Sequence, residues 1–341
     1  MKRFSSTNTS AGVPHSASTM ADRQFQKLNP IKNTAFTMAE ILLSLTIIGV
    51  VAAITLPSLT GNINERTWAT QKKALYARMS QAIPLIGSIN GYADSETFIT
   101  GALSKVLKIN NICDKDHLED CGIATKFTTL TGNTFSYSTP LKMSDYNEKM
   151  TNMLASDATT TYSYSQDDSE AAAFETANGE SVILFYFPKC QPDMSESVNY
   201  FVQPKICVNM IYDLNGNKGP NTVGKDVGIM TVLYATDSVV AAPQPWYRNS
   251  ATSSYTTDHN EAQQYCRELD PEYRMPNLDE LGSMFANMTL LDFGDTSSTH
   301  AVWSSEINAT NSSQAWDQSF MTGYRRIRPR TENLAARCVK R

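Results

Sequence analysis

The longest run of apolar residues in the chain lies near its N-terminus. From Ile41 to Leu56 only three residues are polar, and a run of this kind approaches the ~20 residues that a membrane-spanning helix needs. The preceding residues are polar and basic, and clusters of Lys and Arg stay on the cytoplasmic side of a membrane. The pattern therefore predicts a single membrane-spanning helix over residues 36–58, preceded by a cytoplasmic leader over residues 1–35.

After Pro57 the apolar residues change to the spacing of an amphipathic helix. Residues three, four or seven apart share one helical face, and this spacing is found at Ala69, Leu75, Tyr76, Met79, Ala82 and Ile83. We predict that the helix continues from Phe36 to about Ile89, with its second half packed on a globular head. Pro57 has no amide proton to donate, so a kink or a locally melted turn is expected there.

Shorter patterns predict a β-rich head that ends near residue 235. Ser181–Phe187 and Lys205–Leu214 are apolar runs bounded by turn residues, which is typical of buried strands. The stretch 155–180 is rich in Ser, Thr, Asp and Ala and is predicted to be a surface loop.

The last part of the chain reads as a separate module. A Pro-, Ser- and Thr-rich linker is predicted over 236–258. Beyond it, Glu261–Leu269 is a predicted helix, Asn277 is a predicted N-cap of a second helix, and Ala301–Glu306 is a predicted strand. These short elements indicate a compact α+β module.

Composition limits the class of protein. The 341 residues are 41% hydrophobic and 18% charged, which supports folded cores and argues against global disorder. The formal net charge of −5 gives no bulk attraction for nucleic acid. The sequence has no nucleophile elbow, no HExxH motif and no phosphate-binding loop. We therefore favour a protein that is not an enzyme, with a tethered enzyme as the alternative.

The six cysteines predict disulfides in an oxidising compartment. No CxxC motif is present and there are four His residues, which argues against a zinc site. Cys113 and Cys121 bracket a short charged loop that a disulfide would staple. Cys190 and Cys207 lie at the facing ends of the two predicted strands, where a disulfide would close a hairpin. Four cysteines in the head nevertheless allow three connectivities.

A glycine-rich segment over residues 213–226 is a candidate calcium loop. Its oxygen-bearing residues Asp213, Asn215 and Asn217 alternate and are followed by Asp226. Calcium-binding loops use such oxygen ligands together with glycines that allow tight turns. The alternative is that the Asn-Gly and Gly-Pro pairs simply form turns between strands. Calcium is the one cofactor that the sequence suggests.

The apolar run resembles the N-terminal signature of type IV prepilins and of type II secretion pseudopilins. With Phe36 as the first mature residue, Glu40 is the fifth, Gly49 the fourteenth and Pro57 the twenty-second, as in that family. One position departs, because Ala35 stands where the family prefers Gly. The resemblance implies that a prepilin peptidase cuts between Ala35 and Phe36 and methylates the new amine. The glycine-rich segment also resembles a loop of pilin heads, some of which bind calcium.

Glu40 is the candidate assembly residue. A carboxylate within an apolar helix is costly and is usually functional. In a bundle of packed helices Glu40 is expected to pair with the free amine of Phe36 on a neighbouring subunit. This pairing would set the axial register of the subunits, because a subunit out of register would leave a buried charge without its partner.

Met20 is an alternative start of the chain that would shorten the leader.

The C-terminal segment resembles a C-type-lectin-like fold of bacterial surface proteins. The resemblance rests on Tyr265, Cys266, Leu269, Tyr273, Arg274, Met275, Pro276, Glu280, Leu281, Trp303, Ser304, Ser305, Arg337, Cys338 and Val339. It implies a disulfide between Cys266 and Cys338, which joins a helix to the terminal strand. The calcium-dependent sugar motifs of that fold are absent from this segment, and the fold alone does not imply sugar binding. The ligand expected for a displayed adhesion module is a glycan or a surface protein.

A basic stripe in this module provides an alternative. Tyr324, Arg326, Arg328 and Arg330 alternate, so they share one face of a strand and could meet DNA phosphates. Arginines on a solvated edge strand are the competing interpretation, and we favour it. Trp303, Trp316 and Tyr324 are read as core in preference to a binding surface.

Together these features predict an α+β fold with five parts. They are a leader at 1–35, the membrane-spanning half of a pilin helix at 36–58, an amphipathic helix and antiparallel β head at 59–235, a linker at 236–258, and a lectin-like domain at 259–341. The predicted function is a minor or tip subunit of a type IV pilus or pseudopilus. Its expected partners are a prepilin peptidase, other pilin subunits, the inner membrane before assembly, and an adhesion ligand. It would finally lie in an extracellular or periplasmic filament. A pseudopilin without an adhesive role and a DNA-uptake pilin are the alternatives.

Overall fold

The computed structural model divides the described residues into two units, one that ends at Ser58 and one that begins at Leu59. The described residues are 37–151, 153–156, 161–164, 168–188, 206–233, 256–269, 271–292 and 301–340, with the backbone alone at 54–64, 151, 153–156, 161–164, 256 and 340. Ala35, Phe36, Cys190 and most of the predicted linker therefore lie outside the described residues.

The predicted fold class needs correction. The structure is a mixed α+β fold, but among its described residues no helix is both long and apolar enough to cross a membrane. The prediction of a membrane-spanning half over residues 36–58 is therefore wrong. The apolar run from Ile41 to Leu56 is shorter than the ~20 residues that a span needs, and Ser44, Thr46 and Thr55 interrupt it.

Helix α1 is by far the longest of the described helices. It runs over Met38–Ala82 and passes through Pro57 as continuous helix, so the locally melted turn expected there is not formed. The helices that follow are α2 (Ser95–Phe98), α3 (Ser104–Val106), α4 (Met143–Thr151), α5 (His259–Leu269), α6 (Leu278–Ala286) and α7 (Met288–Leu291).

The second half of α1 packs on the head along one face. Leu75, Met79 and Ala82 are buried, as their spacing predicts. Tyr76 and Ala69 are exposed instead, and the face is completed by the half-buried Trp68 and the buried Lys72. The buried positions therefore recur at three- and four-residue steps from residue 68, as expected for one helical stripe.

The head is built on a five-stranded antiparallel sheet with the order β1-β6-β7-β8-β9. The strands of the head are β1 (Ile109–Cys113), β2 (Lys126–Thr128), β3 (Thr134–Ser136), β4 (Met153–Ser156), β5 (Thr161–Tyr164), β6 (Ala172–Thr176), β7 (Ser181–Tyr186), β8 (Ile206–Asp213) and β9 (Val227–Leu233). The predicted strands at 181–187 and 205–214 are thus confirmed as β7 and β8, which pair from Ser181 with Asp213 to Tyr186 with Val208.

Both faces of this sheet are covered, which accounts for its continuous apolar runs. On one face Tyr186 stacks on Phe98 of α2, with ring centroids 4.8 Å apart. On the other face Phe185 stacks on Tyr146 of α4, with centroids 5.6 Å apart. Successive residues of a strand point to opposite faces, so a doubly covered strand needs apolar residues at every position.

The stretch 155–180, for which the sequence predicts a surface loop, contains an inner strand. Ala172–Thr176 is β6, which lies between β1 and β7, and four of its five side chains are buried. Small alanines have weak β propensity and give no strand signal. The strand forms because it pairs with β7 and with distant β1, which a local pattern does not record.

The C-terminal segment forms a second sheet with the order β10-β15-β12-β13-β14. Its strands are β10 (Thr256–Thr257), β12 (Ala301–Ile307), β13 (Gln314–Ser319), β14 (Arg325–Pro329) and β15 (Leu334–Ala335), and β11 (Tyr273–Arg274) pairs separately with β16 (Val339–Lys340). Trp303 of β12 packs in a cluster with α5, whereas its neighbour Val302 shares the core of α6. The sheet therefore lies between α5 and α6.

Helix α6 joins the two sheets into one core. It contacts β8 and β9 of the first sheet and β12 and β13 of the second. Its start is the predicted one, because the Asn277 side chain accepts from the Glu280 amide at 2.7 Å and Glu280 accepts from the Asn277 amide at 2.8 Å. Such a capping box satisfies two otherwise unpaired helix amides.

Replacing Gly216 by alanine is expected to lower the free energy of unfolding by about 2 kcal/mol. Gly216 has a φ of +63°, and a Cβ there would lie 2.9 Å from the backbone oxygen of Gly122. Gly179→Ala is the matched control, since its φ is +84° but nothing lies within 4 Å of the added Cβ. Urea unfolding should show a larger loss for Gly216→Ala, and equal losses would contradict this account of the contact.

Candidate functional site

The first part of α1 presents a continuous apolar surface. Its exposed side chains range from 48% exposure at Ile41 to 80% at Met38. We call this set the apolar helix surface: Met38, Ile41, Leu42, Leu43, Leu45, Ile47, Ile48, Val50 and Val51. A helix that is apolar on all sides is normally buried, and exposed apolar patches of this kind mark interaction sites. This part of the chain is therefore built to be covered by something else.

Gly49 lies within the apolar helix surface. A Cβ added to Gly49 would meet no atom within 4 Å. Nothing within its own chain therefore requires glycine there, although glycine costs ~1 kcal/mol relative to alanine in a helix. Close approach of a second helix would require a small residue at this position, and glycine is the smallest.

Glu40 forms a capping box at the start of α1. Its Oε2 accepts hydrogen bonds from the Thr37 amide and the Thr37 hydroxyl, both at 2.9 Å. In return, the Glu40 amide donates to Thr37 Oγ1 at 3.3 Å. The carboxylate is thus held at the solvent-exposed start of the helix, against Thr37, which follows Phe36 in the sequence. Phe36 itself lies outside the described residues, so its pairing with Glu40 stays a prediction.

The candidate calcium loop, residues 213–226, contains buried oxygens that have no hydrogen-bond partner. They are Asp213 Oδ2, Asn215 Oδ1 and Asn221 Oδ1. Asp213 is 2% exposed, and burial raises the pKa of its carboxyl to about 7, with nearby Asp226 adding to the rise. A buried carboxylate oxygen without a partner is costly, and a bound cation is one way to satisfy it.

The four predicted ligands divide into three kinds. Asp213 and Asn215 carry unpaired oxygens, as a ligand would. Asp226 is buried, and its two oxygens accept from the Thr222 amide at 2.8 Å and the Asn221 amide at 2.9 Å, so it organises the loop. Asn217 is exposed.

Sequence reasoning missed Asn221 as a candidate ligand. It follows Pro220 and has a φ of +50°, a conformation that asparagine tolerates better than most residues. Gly219 stands between Asn217 and Asn221 and interrupts the alternation of oxygen-bearing residues, so the spacing gave no signal for Asn221. Among the described residues, no three His, Cys, Asp or Glu side chains cluster to hold a metal. A cation in this loop would therefore depend on amide oxygens as well as Asp213, which suits calcium better than zinc.

Two of the predicted disulfides are present. Cys113 joins Cys121 across eight residues, and Cys266 of α5 joins Cys338 across 72 residues. Cys207 is also disulfide-bonded, but its predicted partner Cys190 lies outside the described residues.

The predicted basic stripe is largely neutralised. Tyr324 is buried rather than part of an exposed face. Asp317 Oδ2 lies 3.1 Å from Arg326 Nη2 and 3.5 Å from Arg328 Nε, and Arg328 also pairs with Glu332 at 2.6 Å. Carboxylates within the chain already pair with Arg326 and Arg328. Less positive charge is therefore left to attract DNA phosphates, which weakens the reason to expect DNA binding.

Aromatic residues of this module mostly belong to its core. Trp303 is fully buried, and its indole nitrogen donates to the Thr257 carbonyl at 3.0 Å. His259 stacks edge-on against Trp303 and is fully buried as well. Both residues therefore support the fold of the module.

In comparison with known proteins, no family model, no curated protein and no solved structure matches this chain.

Proposed function

We propose that the chain is a structural subunit of a filament of the type IV pilus or pseudopilus kind. The observation that carries the proposal is the apolar helix surface, which is exposed in a single chain and would be covered by the same helix of neighbouring copies. The order of Phe36, Glu40, Gly49 and Pro57 supports the same assembly. The folded head and C-terminal module would then lie around the helical core, in the periplasm or outside the cell.

Within this proposal Glu40 has two roles. In the single chain it caps α1 through Thr37. In the filament its carboxylate would accept the methylated amine of Phe36 from a neighbouring copy, after a prepilin peptidase has cut behind Ala35. The C-terminal module adds bulk that a closely repeated subunit would accommodate poorly, so we place the chain as a minor or tip subunit, with a glycan or surface protein as its ligand.

Replacing Glu40 by alanine is expected to reduce the amount of subunit in sheared filaments by at least about a hundredfold. The reason is that leaving one charge of a buried pair without its partner costs about 3–5 kcal/mol. The measurement is a quantitative immunoblot of sheared filaments against whole cells, in a strain that has the assembly machinery.

Two further variants separate the roles of Glu40. Thr37→Ala removes the hydroxyl of the capping box and keeps the Glu40 carboxylate and the amide that donates to it, and Glu65→Ala removes an exposed carboxylate from the same helix. Both should still enter filaments. If Glu40→Ala assembles like the Glu65→Ala control, pairing with Phe36 is not what holds the filament together.

A second function is favoured by the unpaired oxygens of the 213–226 loop. We propose that Asp213, Asn215 and Asn221 hold calcium, and that the ion would tie the end of β8 to the start of β9. Asp226 would position Asn221 by accepting a hydrogen bond from the backbone amide of Asn221.

Saturating calcium is expected to raise the melting temperature of the chain. A ligand at a hundred times its dissociation constant stabilises the folded state by about 2.7 kcal/mol. Asn221→Gly keeps the backbone conformation while removing the amide oxygen, and it should lose this response, as should Asp213→Asn. Asn217→Ala should keep the response, since that side chain is exposed. If calcium does not change the melting temperature of the native chain, the calcium proposal is wrong and the loop only forms turns between strands.

A further inference from the structure

Lys72 occupies a position that is unusual for a lysine. It lies on the packed face of α1, three residues before Leu75, and is 7% exposed. Lysine is almost never buried without partners, because its ammonium group is costly to remove from water. Burial also lowers the pKa of Lys72 to about 8, while Asp226 opposes that shift. The side chain must therefore gain from specific contacts at its end.

Those contacts lie in the 213–226 loop. Lys72 Nζ donates to the backbone oxygen of Gly224 at 2.6 Å. Asp226 attracts the ammonium group electrostatically. The ammonium group of Lys72, which projects from α1, thus lies against the 213–226 loop that carries the unpaired oxygens.

Asp226 connects the ammonium group to the candidate ligands. It interacts electrostatically with Asp213 as well as with Lys72, and it accepts the amide of Asn221 at 2.9 Å. Asp213 and Asp226 are the acidic residues of the loop, and its own lysines, Lys218 and Lys225, are exposed. Lys72 adds a buried positive charge, so a divalent ion entering this loop would be repelled by the ammonium group of Lys72.

We propose that Lys72 is the built-in cation of the 213–226 loop and that it opposes the binding of a divalent ion there. Its ammonium group fastens the loop to α1 and sets a weak affinity for calcium. The inference rests on the proposed calcium site, and it makes Lys72 a positioning residue whose charge determines the affinity of that site.

The test is calorimetric titration of the full chain with calcium chloride after removal of bound metal by a chelator. Lys72→Met removes the charge with little change in volume, and Lys72→Gln also removes it but keeps a donor for the Gly224 oxygen. Both should bind calcium at least about tenfold more tightly than the native chain, since one unit of like charge close to the ion is removed. Lys72→Arg, which keeps the charge, should bind no more tightly than native.

Lys73→Met is the matched control, because Lys73 is the exposed neighbour on the same helix. It should leave the affinity unchanged. Simple damage to the loop would weaken binding in the Lys72 variants, so an increase is not what a merely structural role produces. If neither Lys72→Met nor Lys72→Gln binds calcium more tightly than native, the proposal is overturned.

The same titration separates this inference from the calcium function itself. A native chain that does not bind at roughly 1 mM calcium, the weak end of extracellular calcium modules, would remove the calcium function. Tight binding by the two uncharged variants would still support Lys72 as the resident cation in that case.

Discussion

Replacing Asn287 by alanine is expected to lower the free energy of unfolding by about 4 kcal/mol, near the upper end for a single substitution. Asn287 is fully buried at the end of α6. Its Oδ1 accepts from the Tyr146 hydroxyl at 2.7 Å and from Asn209 Nδ2 at 3.0 Å. Its Nδ2 donates to Asn209 Oδ1 at 2.9 Å and to the Ser283 carbonyl at 2.8 Å. Alanine would leave several buried polar groups without partners.

The size of this effect also reports on how the molecule is built. Asn287 connects the C-terminal segment to α4 and to β8 of the first sheet, so its loss should weaken the whole of the second unit in one transition. Urea unfolding followed by circular dichroism measures the change. Asn111→Ala, which alters an exposed asparagine on β1, is the control and should cost less than ~1 kcal/mol. A loss below that level for Asn287→Ala would contradict the account of the network.

Replacing both Cys266 and Cys338 by alanine is the second large change, with an expected loss of about 4 kcal/mol. Their disulfide closes a loop of 72 residues, and a longer loop restricts the unfolded chain more strongly. The matched variant removes Cys113 and Cys121, which are eight residues apart. Its expected loss is about 2.5 kcal/mol on the same relation.

The order of the two disulfide variants is the informative result. Both pairs are buried, so lost packing should be similar in kind, and the difference should follow loop length. Urea unfolding of the two double variants beside the native chain gives the comparison. A greater loss from removing the short-range disulfide would indicate that local strain or packing, and not restriction of the unfolded chain, dominates at these sites.

Much of the first sheet could be predicted because its central strands are covered on both faces. Ser181–Tyr186 and Ile206–Asp213 are apolar at nearly every position, and a short run of this composition is typical of a strand buried on both sides. The start of α6 at Asn277 was also predictable, because a capping box is encoded within four residues. Both signals are local and do not depend on what the segment packs against.

Other parts depend on distant contacts and left no such signal. β6 is a strand because it lies between β1 and β7, not because Ala172 and Ala173 favour one. The position of α6 between the sheets follows from its contacts with β8 and β12. The contact of the Lys72 ammonium group with the 213–226 loop could not be predicted from helical spacing. A lysine on an apolar helical face only breaks the hydrophobic pattern and does not indicate what its side chain contacts. The membrane-spanning prediction failed for a different reason, since the apolar run from Ile41 to Leu56 includes polar residues and is shorter than the ~20 apolar residues of a span.

The candidate site was predictable in part. Glu40 stood out because a carboxylate interrupts an apolar run, but its capping box with Thr37 requires the helix to begin between them. In the loop, Asp213 and Asn215 were found by alternation. Asn221 was not, because its unpaired oxygen is a property of the folded loop.

The most direct test of the filament account is the mature N-terminus of the chain, determined by mass spectrometry after expression in a host that has a prepilin peptidase. The account predicts a chain that begins with N-methylated Phe36. A chain that keeps residues 1–35, or one that is cut on the C-terminal side of the apolar run, would contradict it.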